Sequence, residues 1–299
     1  MFRCILLLGI MVATSAPAAA VVSIFACEPE WAALAQEVGR ELVEATSATT
    51  AMQDPHHIQA RPSLIARMRR ADLVICTGAG LETGWLPLLL RRANNPQVQP
   101  GQPGYLEAAS AVSLLDRPQR LDRAEGDIHA QGNPHIQMNP NNLTAVAKLL
   151  AQRLSIIDPD KARQYQTNLD GFLSRWQLAI DRWEQAAAPL KGMTLVVQHR
   201  SWVYLSHWLG LERVATIEPK PGIPPGSGDL ARLVAQMERQ PADAILYAAY
   251  QDDRGVTWLS EHTGIVGVEL PFTVGGSEVA QDLFGLFDDT LNKLLAVAP

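Results

Sequence analysis

A stretch without strand signals, from Pro159 to about Pro189, most constrains what this chain can fold into. It contains one glycine, Gly171, and its large apolar residues recur at helical spacing. This pattern predicts a single helix of roughly 30 residues, which is long for a globular protein. On both sides of it, short apolar runs alternate with amphipathic segments. The alternation indicates an α/β fold: two lobes with mainly parallel sheets flanked by helices, joined by one long rigid helix.

The ends of the long helix divide the chain. We assign residues 21–157 to an N-terminal lobe, 158–189 to the linking helix and 190–299 to a C-terminal lobe. Within the first lobe, the pattern of residues 28–47 predicts one amphipathic helix, and the apolar residues 111–115 predict a short strand. Because ligands of such lobes bind at the carboxyl ends of the strands, we expect a site in the cleft between the lobes.

Residues 1–20 have the pattern of a secretory signal peptide. Arg3 precedes a short apolar run, and a Pro-Ala-Ala-Ala motif ending at Ala20 supplies an Ala-x-Ala cleavage site. The apolar run is too short for a membrane helix. We therefore expect cleavage after residue 20 and a soluble periplasmic protein. The formal net charge of −6, without a basic cluster, argues against nucleic-acid binding.

Three histidines stand in settings that suit a metal ligand. His56 and His135 each follow a proline closely, and His199 directly follows an apolar run that predicts a strand. Proline stiffens the first two loops, which reduces the ordering cost of holding a ligand. The three residues lie far apart in sequence, so only the fold can bring them together. Three imidazoles that converge on one point are typical of zinc sites.

Further residues could contribute to such a site or to its support. Asp127 and His129 form an Asp-x-His pair before His135, for which we favour a flexible polar loop over a secondary metal contact. Cys27 and Cys76 each end an apolar run, and in an oxidising compartment they could form a disulfide. Two buried free thiols are an equal alternative. Lipidation of Cys27 is a third, because the residues before it loosely resemble a lipobox.

Taken together, these motifs resemble the zinc and manganese class of periplasmic substrate-binding proteins that serve ABC transporters. The resemblance covers nearly all of the chain after residue 20. It rests on these segments: Asp54-Pro55-His56, Arg61-Pro62-Ser63, Ala71-Asp72-Leu73-Val74, Gly80-Leu81-Glu82, Trp85, Asn133-Pro134-His135, Asn139-Pro140, Asn142, His199 and Gly222-Ile223-Pro224-Pro225. It implies that a metal lies in the cleft between the lobes, with His56, His135 and His199 as its ligands.

The residue at the third ligand position bears on the choice of metal. Family members with a histidine there resemble zinc binders, whereas those that favour manganese tend to have a glutamate. Imidazole suits Zn²⁺ and carboxylate suits Mn²⁺. The family often takes a fourth ligand, an aspartate, from the loop before the last helix, and this loop contains none here. The alternatives for the fourth position are Glu278, Asp282, His129, Asp127 and water.

The resemblance implies a periplasmic protein that captures Zn²⁺ and delivers it to the membrane permease of a cognate ABC transporter. We expect a monomer that catalyses no reaction. The alternatives within the same fold are a binder of manganese or iron, and a metallochaperone or adhesin. A zinc hydrolase is a further alternative, because three histidines and a water also form catalytic zinc sites. The chain contains neither His-Glu-x-x-His nor Gly-x-Ser-x-Gly, which argues against an enzyme.

Overall fold

Two parallel β-sheets of four strands each form the centres of the two lobes. The computed structural model describes residues 21–118 and 126–299, so the predicted signal peptide lies outside the described residues. The first sheet contains β1 (Val22–Ala26), β2 (Val43–Ser47), β3 (Leu73–Cys76) and β4 (Tyr105–Glu107). The second contains β5 (Thr194–Val197), β6 (Glu212–Thr216), β7 (Ala244–Ala248) and β8 (Val266–Leu270). The strand orders are β2-β1-β3-β4 and β6-β5-β7-β8, so the two sheets have the same topology.

Helices cover both faces of these sheets. The helices are α1 (Pro29–Gly39), α2 (Pro62–Arg70), α3 (Leu86–Ala93), α4 (Pro140–Ile157), α5 (Ala162–Ala186), α6 (Val203–Leu209), α7 (Ser227–Met237), α8 (Arg254–Thr263) and α9 (Leu283–Leu295). Successive residues of β1 pack into different cores, Ile24 into one and Phe25 into the other. A strand that is buried on both faces reads as a continuous apolar run, as β1 does in the sequence. The predicted α/β architecture is therefore confirmed.

Helix α5 is the predicted long helix and has 25 residues. It packs along both lobes instead of spanning open solvent. On the N-terminal side, the Asn168 side-chain amide donates a hydrogen bond to the Val38 carbonyl at 3.1 Å. On the C-terminal side, the Trp183 indole donates to the Asp288 carboxylate at 2.6 Å. These contacts tie the helix to both lobes.

The predicted helix over residues 28–47 is wrong in its second half. Helix α1 ends at Gly39, and Arg40 then takes a positive φ of 49°. A Cβ at Gly39 would lie 2.2 Å from a methyl carbon of Val43, so this tight turn requires a glycine. The chain continues as β2, in which Val43 pairs with Val22 of β1. Pairing with β1 outweighs the helical spacing of the apolar residues.

The predicted strand over residues 111–115 is also wrong, because the fourth strand of the sheet is β4. The backbone after β4 leaves the sheet and finds other partners. The Leu115 amide donates to the Tyr204 hydroxyl of the C-terminal lobe at 3.0 Å, and the Leu115 carbonyl accepts from the Asn133 amide at 2.8 Å. This segment therefore contacts the C-terminal lobe.

Cys27 and Cys76 form a disulfide, which is one of the alternatives left open by the sequence. Strands β1 and β3 are neighbours with Ala26 opposite Ile75, and the Cα atoms of the two cysteines are 4.7 Å apart. Both cysteines are fully buried. In this state Cys27 has no free thiol for lipid attachment.

None of the helices within residues 21–118 and 126–299 is both long and apolar enough to cross a membrane. The loops that follow the carboxyl ends of β2 and β5, one strand from each sheet, carry His56 and His199.

Candidate metal centre

Four histidines from three loops meet between the lobes. His56 lies between β2 and α2, His129 and His135 lie between β4 and α4, and His199 follows β5. The ring centroid of His56 is 5.4 Å from that of His135, and the ring centroid of His199 is 5.9 Å from each of them. The His129 ring centroid is 5.3 Å from that of His56 and 6.3 Å from that of His135. The fold thus brings together the three histidines singled out in the sequence and adds His129.

The spacing of the ring nitrogens suits a small divalent ion. His56, His129 and His135 each place one ring nitrogen within 4.8 Å of the others. The Nε2 atoms of His56 and His129 are 3.3 Å apart. Two nitrogens bound to tetrahedral Zn²⁺ at its usual bond length are separated by about 3.3 Å. The donor set and this separation therefore fit zinc.

Two carboxylates orient the outer histidines. Asp54 Oδ1 lies 2.7 Å from His56 Nδ1, and Glu218 Oε2 lies 2.6 Å from His199 Nδ1. Although burial opposes ionisation, the hydrogen bond with the His56 ring holds the pKa of the Asp54 carboxyl well below its usual range. An ionised carboxylate only accepts hydrogen bonds, so the ring proton sits on Nδ1 and leaves Nε2 for a metal.

The other two histidines are held neutral by their surroundings. Burial, with smaller contributions from His56 and His199, lowers the pKa of His129 to about 4. Burial and the same two neighbours lower the pKa of His135 well below its usual range. His135 is 1% exposed, and its Nδ1 has no hydrogen-bond partner among the residues that the structure describes. A buried neutral imidazole with an unpartnered nitrogen is suited to ligate a metal.

An aromatic residue packs against the buried side of the cluster. The Phe272 ring meets His135 edge-on, with centroids 5.2 Å apart, and it also contacts Trp202 and Tyr250. Phe272 lies in the loop before α9, from which the family resemblance would draw an aspartate. At Phe272, this loop therefore presents an aromatic ring to the site and not a metal-binding carboxylate.

Two open cavities flank the histidines. We call the larger the acidic cavity; it has a volume of about 590 Å³ and its lining includes His56, His57, His199, Asp54, Asp127, Glu218, Asp252 and Arg254. We call the smaller the mixed cavity; it has a volume of about 360 Å³ and its lining includes His129, His135, His199, Asp116, Asp127, Glu218, Arg200, Arg213 and Lys220. The cluster is thus accessible from two sides.

The remaining candidate ligands lie in different places. Asp127 borders both cavities, and its backbone amide donates to the Pro221 carbonyl at 3.0 Å. Asp282 instead caps α9, where its carboxylate accepts from the Gly285 amide at 2.7 Å. Glu278 is exposed, and neither it nor Asp282 lines the acidic or the mixed cavity. The structure therefore disfavours Glu278 and Asp282 as fourth ligands, because the first faces solvent and the second is used by a helix.

Sequence reasoning undervalued three residues of this site. His129 was expected in a flexible polar loop, yet its ring packs against that of His56. Glu218 stands among prolines two residues after the end of β6. Its place beyond a strand end is its only signal in the sequence, and the structure shows that β6 lies beside β5, the strand that precedes His199. Phe272 carried no signal in the sequence, since an apolar loop residue does not show what it will pack against.

Comparisons with known proteins identify the family that this chain resembles. A family model described as ZnuA, zinc-uptake complex component A periplasmic, matches residues 24–297. The manganese ABC transporter substrate-binding lipoprotein PsaA of Streptococcus pneumoniae is 22% identical over 237 residues, which cover 78% of this chain and 73% of the relative. The metal ABC transporter substrate-binding lipoprotein SloC of Streptococcus mutans is 20% identical over 268 residues, which cover 88% of this chain and 84% of the relative.

Solved structures show the same fold. A crystal structure of ZnuA superposes with a TM-score of 0.78 at 21% identity and covers 94% of this chain and 100% of that chain. FpvC from Pseudomonas aeruginosa in complex with Mn²⁺ superposes with a TM-score of 0.78 at 19% identity and covers 93% of this chain and 98% of that chain. The metals named for these proteins differ, so the likeness establishes the fold and leaves the choice of metal to the site.

Proposed function

The chain belongs to the family of the periplasmic zinc-uptake component A, the metal-binding substrate-binding proteins of ABC transporters, and on that basis we propose that its cargo is Zn²⁺. Proteins of this family bind a substrate for a transporter and are not enzymes. The protein would capture the ion in the periplasm, after removal of residues 1–20, and deliver it to a membrane permease.

One observation carries the choice of zinc: the four side chains around the site all offer imidazole nitrogens. Mn²⁺ prefers carboxylate, carbonyl and water oxygens, usually in octahedral geometry, whereas Zn²⁺ accepts four nitrogens in a tetrahedron. Asp54 and Glu218 are the nearest carboxylates, and each accepts a hydrogen bond from a histidine ring. These carboxylates would support the ligands without replacing them.

The site would also link metal binding to the closure of the cleft. His56, His129 and His135 belong to the N-terminal lobe, and His199 belongs to the C-terminal lobe. Protein contacts across the cleft accompany them: the Asn133 side-chain amide donates to the Arg200 carbonyl at 2.7 Å. A metal that binds all four rings would add its bond to His199 in the closed form only, because the other three rings lie in one lobe. It therefore favours closure by the difference in its affinity for the closed and open forms.

The direct test is calorimetric titration of the metal-free protein with Zn²⁺ and, separately, with Mn²⁺. We expect one zinc ion per chain and much weaker binding of manganese. His56→Ala, His135→Ala and His199→Ala should each reduce zinc affinity strongly. His262→Ala is the matched control, because His262 is an exposed histidine of α8. Unchanged zinc affinity in all three ligand variants would exclude this site.

A second candidate cargo is manganese or iron, favoured by the manganese that several relatives carry in their names and by the Mn²⁺ complex of FpvC. The two candidates differ in the metal that the protein acquires in its own compartment. Anomalous scattering from crystals of protein isolated from the periplasm, measured on both sides of the zinc edge, would identify the element. A signal at the manganese or iron edge would replace zinc with the second candidate.

A further inference from the structure

His57 is an exposed imidazole that shares one carboxylate with a buried histidine of the site. Asp54 Oδ1 lies 2.7 Å from His56 Nδ1, and Asp54 Oδ2 lies 3.2 Å from His57 Nδ1. The His57 side chain is 67% exposed, whereas that of His56 is 8% exposed. Because the carboxylate only accepts, it holds the ring proton on Nδ1 of both histidines. The Nε2 atom of each is then left as a metal-binding lone pair.

The two rings lie at different depths along one opening. Both histidines border the acidic cavity, with His56 at the cluster and the more exposed His57 nearer to solvent. Their centroids are 6.2 Å apart. An ion held by His57 is therefore within a short displacement of the histidine cluster.

The acidic cavity has a surplus of carboxylates, whereas the mixed cavity has equal numbers of carboxylates and cationic side chains. The acidic cavity carries four carboxylates and one guanidinium: Asp54, Asp127, Glu218, Asp252 and Arg254. The mixed cavity carries three carboxylates and three cationic side chains: Asp116, Asp127, Glu218, Arg200, Arg213 and Lys220. A cleft lined by one sign of charge raises the local concentration of the opposite ion and its rate of association. A divalent cation is therefore drawn to the acidic cavity.

A buried side-chain oxygen at the acidic cavity also favours a hydrated cation there. Gln198 borders the acidic cavity, is 7% exposed and precedes His199. Its Oε1 atom has no hydrogen-bond partner within the described part of the chain. A buried acceptor without a partner is costly, and a ligand that brings donors removes that cost. A hydrated metal ion brings such donors, since its bound waters donate hydrogen bonds.

We propose that the acidic cavity is the route by which the metal enters and leaves the histidine cluster, and that His57 is the first protein ligand on this route. The proposal rests on the proposed function, because it needs a divalent cargo. His57 binds the ion while the ion still holds water, and Asp54 keeps both Nε2 atoms ready, so that the ion passes from His57 to His56. His57 is not a ligand of the final site.

A residue on the route has a kinetic signature that a ligand of the final site lacks. The same barrier is crossed on entry and on exit, so losing a route residue lowers the association and dissociation rates by the same factor. The dissociation constant then stays unchanged. Losing a ligand of the final site instead raises the dissociation rate and the dissociation constant together.

The experiment is stopped-flow binding of zinc sulfate to the metal-free full protein in a non-coordinating buffer, with release measured by chelator competition. For His57→Gln we expect both rates to fall roughly threefold or more, with little change in the dissociation constant. For Asp252→Asn we expect slower association, with the largest effect at low salt, because screening weakens steering by exposed charges. Thermal melting of each metal-free variant checks that it is folded.

Two variants serve as matched controls. Asp116→Asn removes a carboxylate that pairs with an arginine at the mixed cavity, as Asp252 pairs with Arg254 at the acidic cavity. His207→Gln removes an exposed histidine of α6. Both should leave the association rate unchanged. Slower association in Asp116→Asn but not in Asp252→Asn would overturn the route, as would a His57→Gln variant whose dissociation constant rises. A wild-type protein that binds no zinc in this assay would contradict the proposed function itself.

Discussion

The Nε2 atoms of His56 and His129 face each other at 3.3 Å, although the two residues are 73 positions apart in the sequence. The other nitrogen of each ring is engaged, because His56 Nδ1 meets the Asp54 carboxylate and His129 makes a hydrogen bond with the Gly80 backbone. Both Nε2 atoms are thus the ones that point into the site. In the metal-free protein a proton on one Nε2 atom can bridge the pair as a hydrogen bond, and a metal ion bound by both atoms would take the place of that proton.

His129 is therefore expected to be the fourth ligand of the zinc site. Replacing it in His129→Ala removes one of four nitrogens and leaves water or nothing in its place. We expect zinc affinity to fall by roughly 100-fold or more, since even residues that only support a ligand contribute 10- to 100-fold. Competition titration with a zinc chelator of known affinity measures this. An affinity equal to that of the wild type would show that His129 packs beside the site without binding.

Glu218 should act on zinc through His199. Its Oε2 atom lies 2.6 Å from His199 Nδ1 and also accepts from the Gly222 amide at 2.8 Å. Glu218→Gln keeps the shape but removes the negative charge that makes the imidazole a better donor to the metal. We expect a 10- to 100-fold loss of zinc affinity, as for other such partners. Crystals of the variant with zinc should still show His199 at the metal, because the ligand itself is unchanged.

The disulfide should stabilise the N-terminal lobe. It links Cys27 and Cys76, which are 49 positions apart in the sequence, and is fully buried. Replacing both cysteines by serine should lower the free energy of unfolding by roughly 2 to 4 kcal/mol, chiefly because the unfolded chain gains freedom. Urea unfolding of the metal-free protein measures the loss. Replacing both by alanine is a useful second variant, because it avoids burying two hydroxyl groups.

A buried carboxyl between the lobes should make stability depend on pH. Glu30 accepts a hydrogen bond from the Thr273 hydroxyl at 2.5 Å across the cleft. Burial raises the pKa of Glu30 to about 7, and the bond from Thr273 opposes this only partly. The folded protein therefore holds a proton that the unfolded chain releases above its ordinary pKa of 4.5. The contribution of Glu30 to the free energy of unfolding is therefore fully present below pH 4.5 and is lost as the pH rises through about 7.

The variant Glu30→Gln has nothing to titrate at this position. Between about pH 5 and about pH 8, the wild type should lose up to roughly 3 kcal/mol more stability than the variant does. Chemical denaturation of both metal-free proteins at the two pH values gives the comparison. Equal losses in the two proteins would mean that Glu30 does not titrate in this range.

Several features of this protein follow from the sequence by itself. The apolar run of β1 and the long amphipathic pattern of α5 are local signals, and both elements lie where the sequence places them. The alternation of such signals predicts two α/β lobes with parallel sheets. The sequence also singles out three candidate ligands. A proline directly precedes His56 and His135, and a predicted strand ends just before His199, so each histidine is expected in a loop.

Only the tertiary structure decided the rest, because it depends on which distant segments pack together. Val43 lies in a strand and not a helix because β1 is available to pair with it. Cys27 bonds to Cys76 because β1 and β3 are neighbours in the sheet. His129 reaches His56 because the segment between β4 and α4 packs against the loop between β2 and α2, and spacing along the sequence carries no record of that packing. Residues with metal-binding chemistry can be read from the sequence, but their distances are a property of long-range packing.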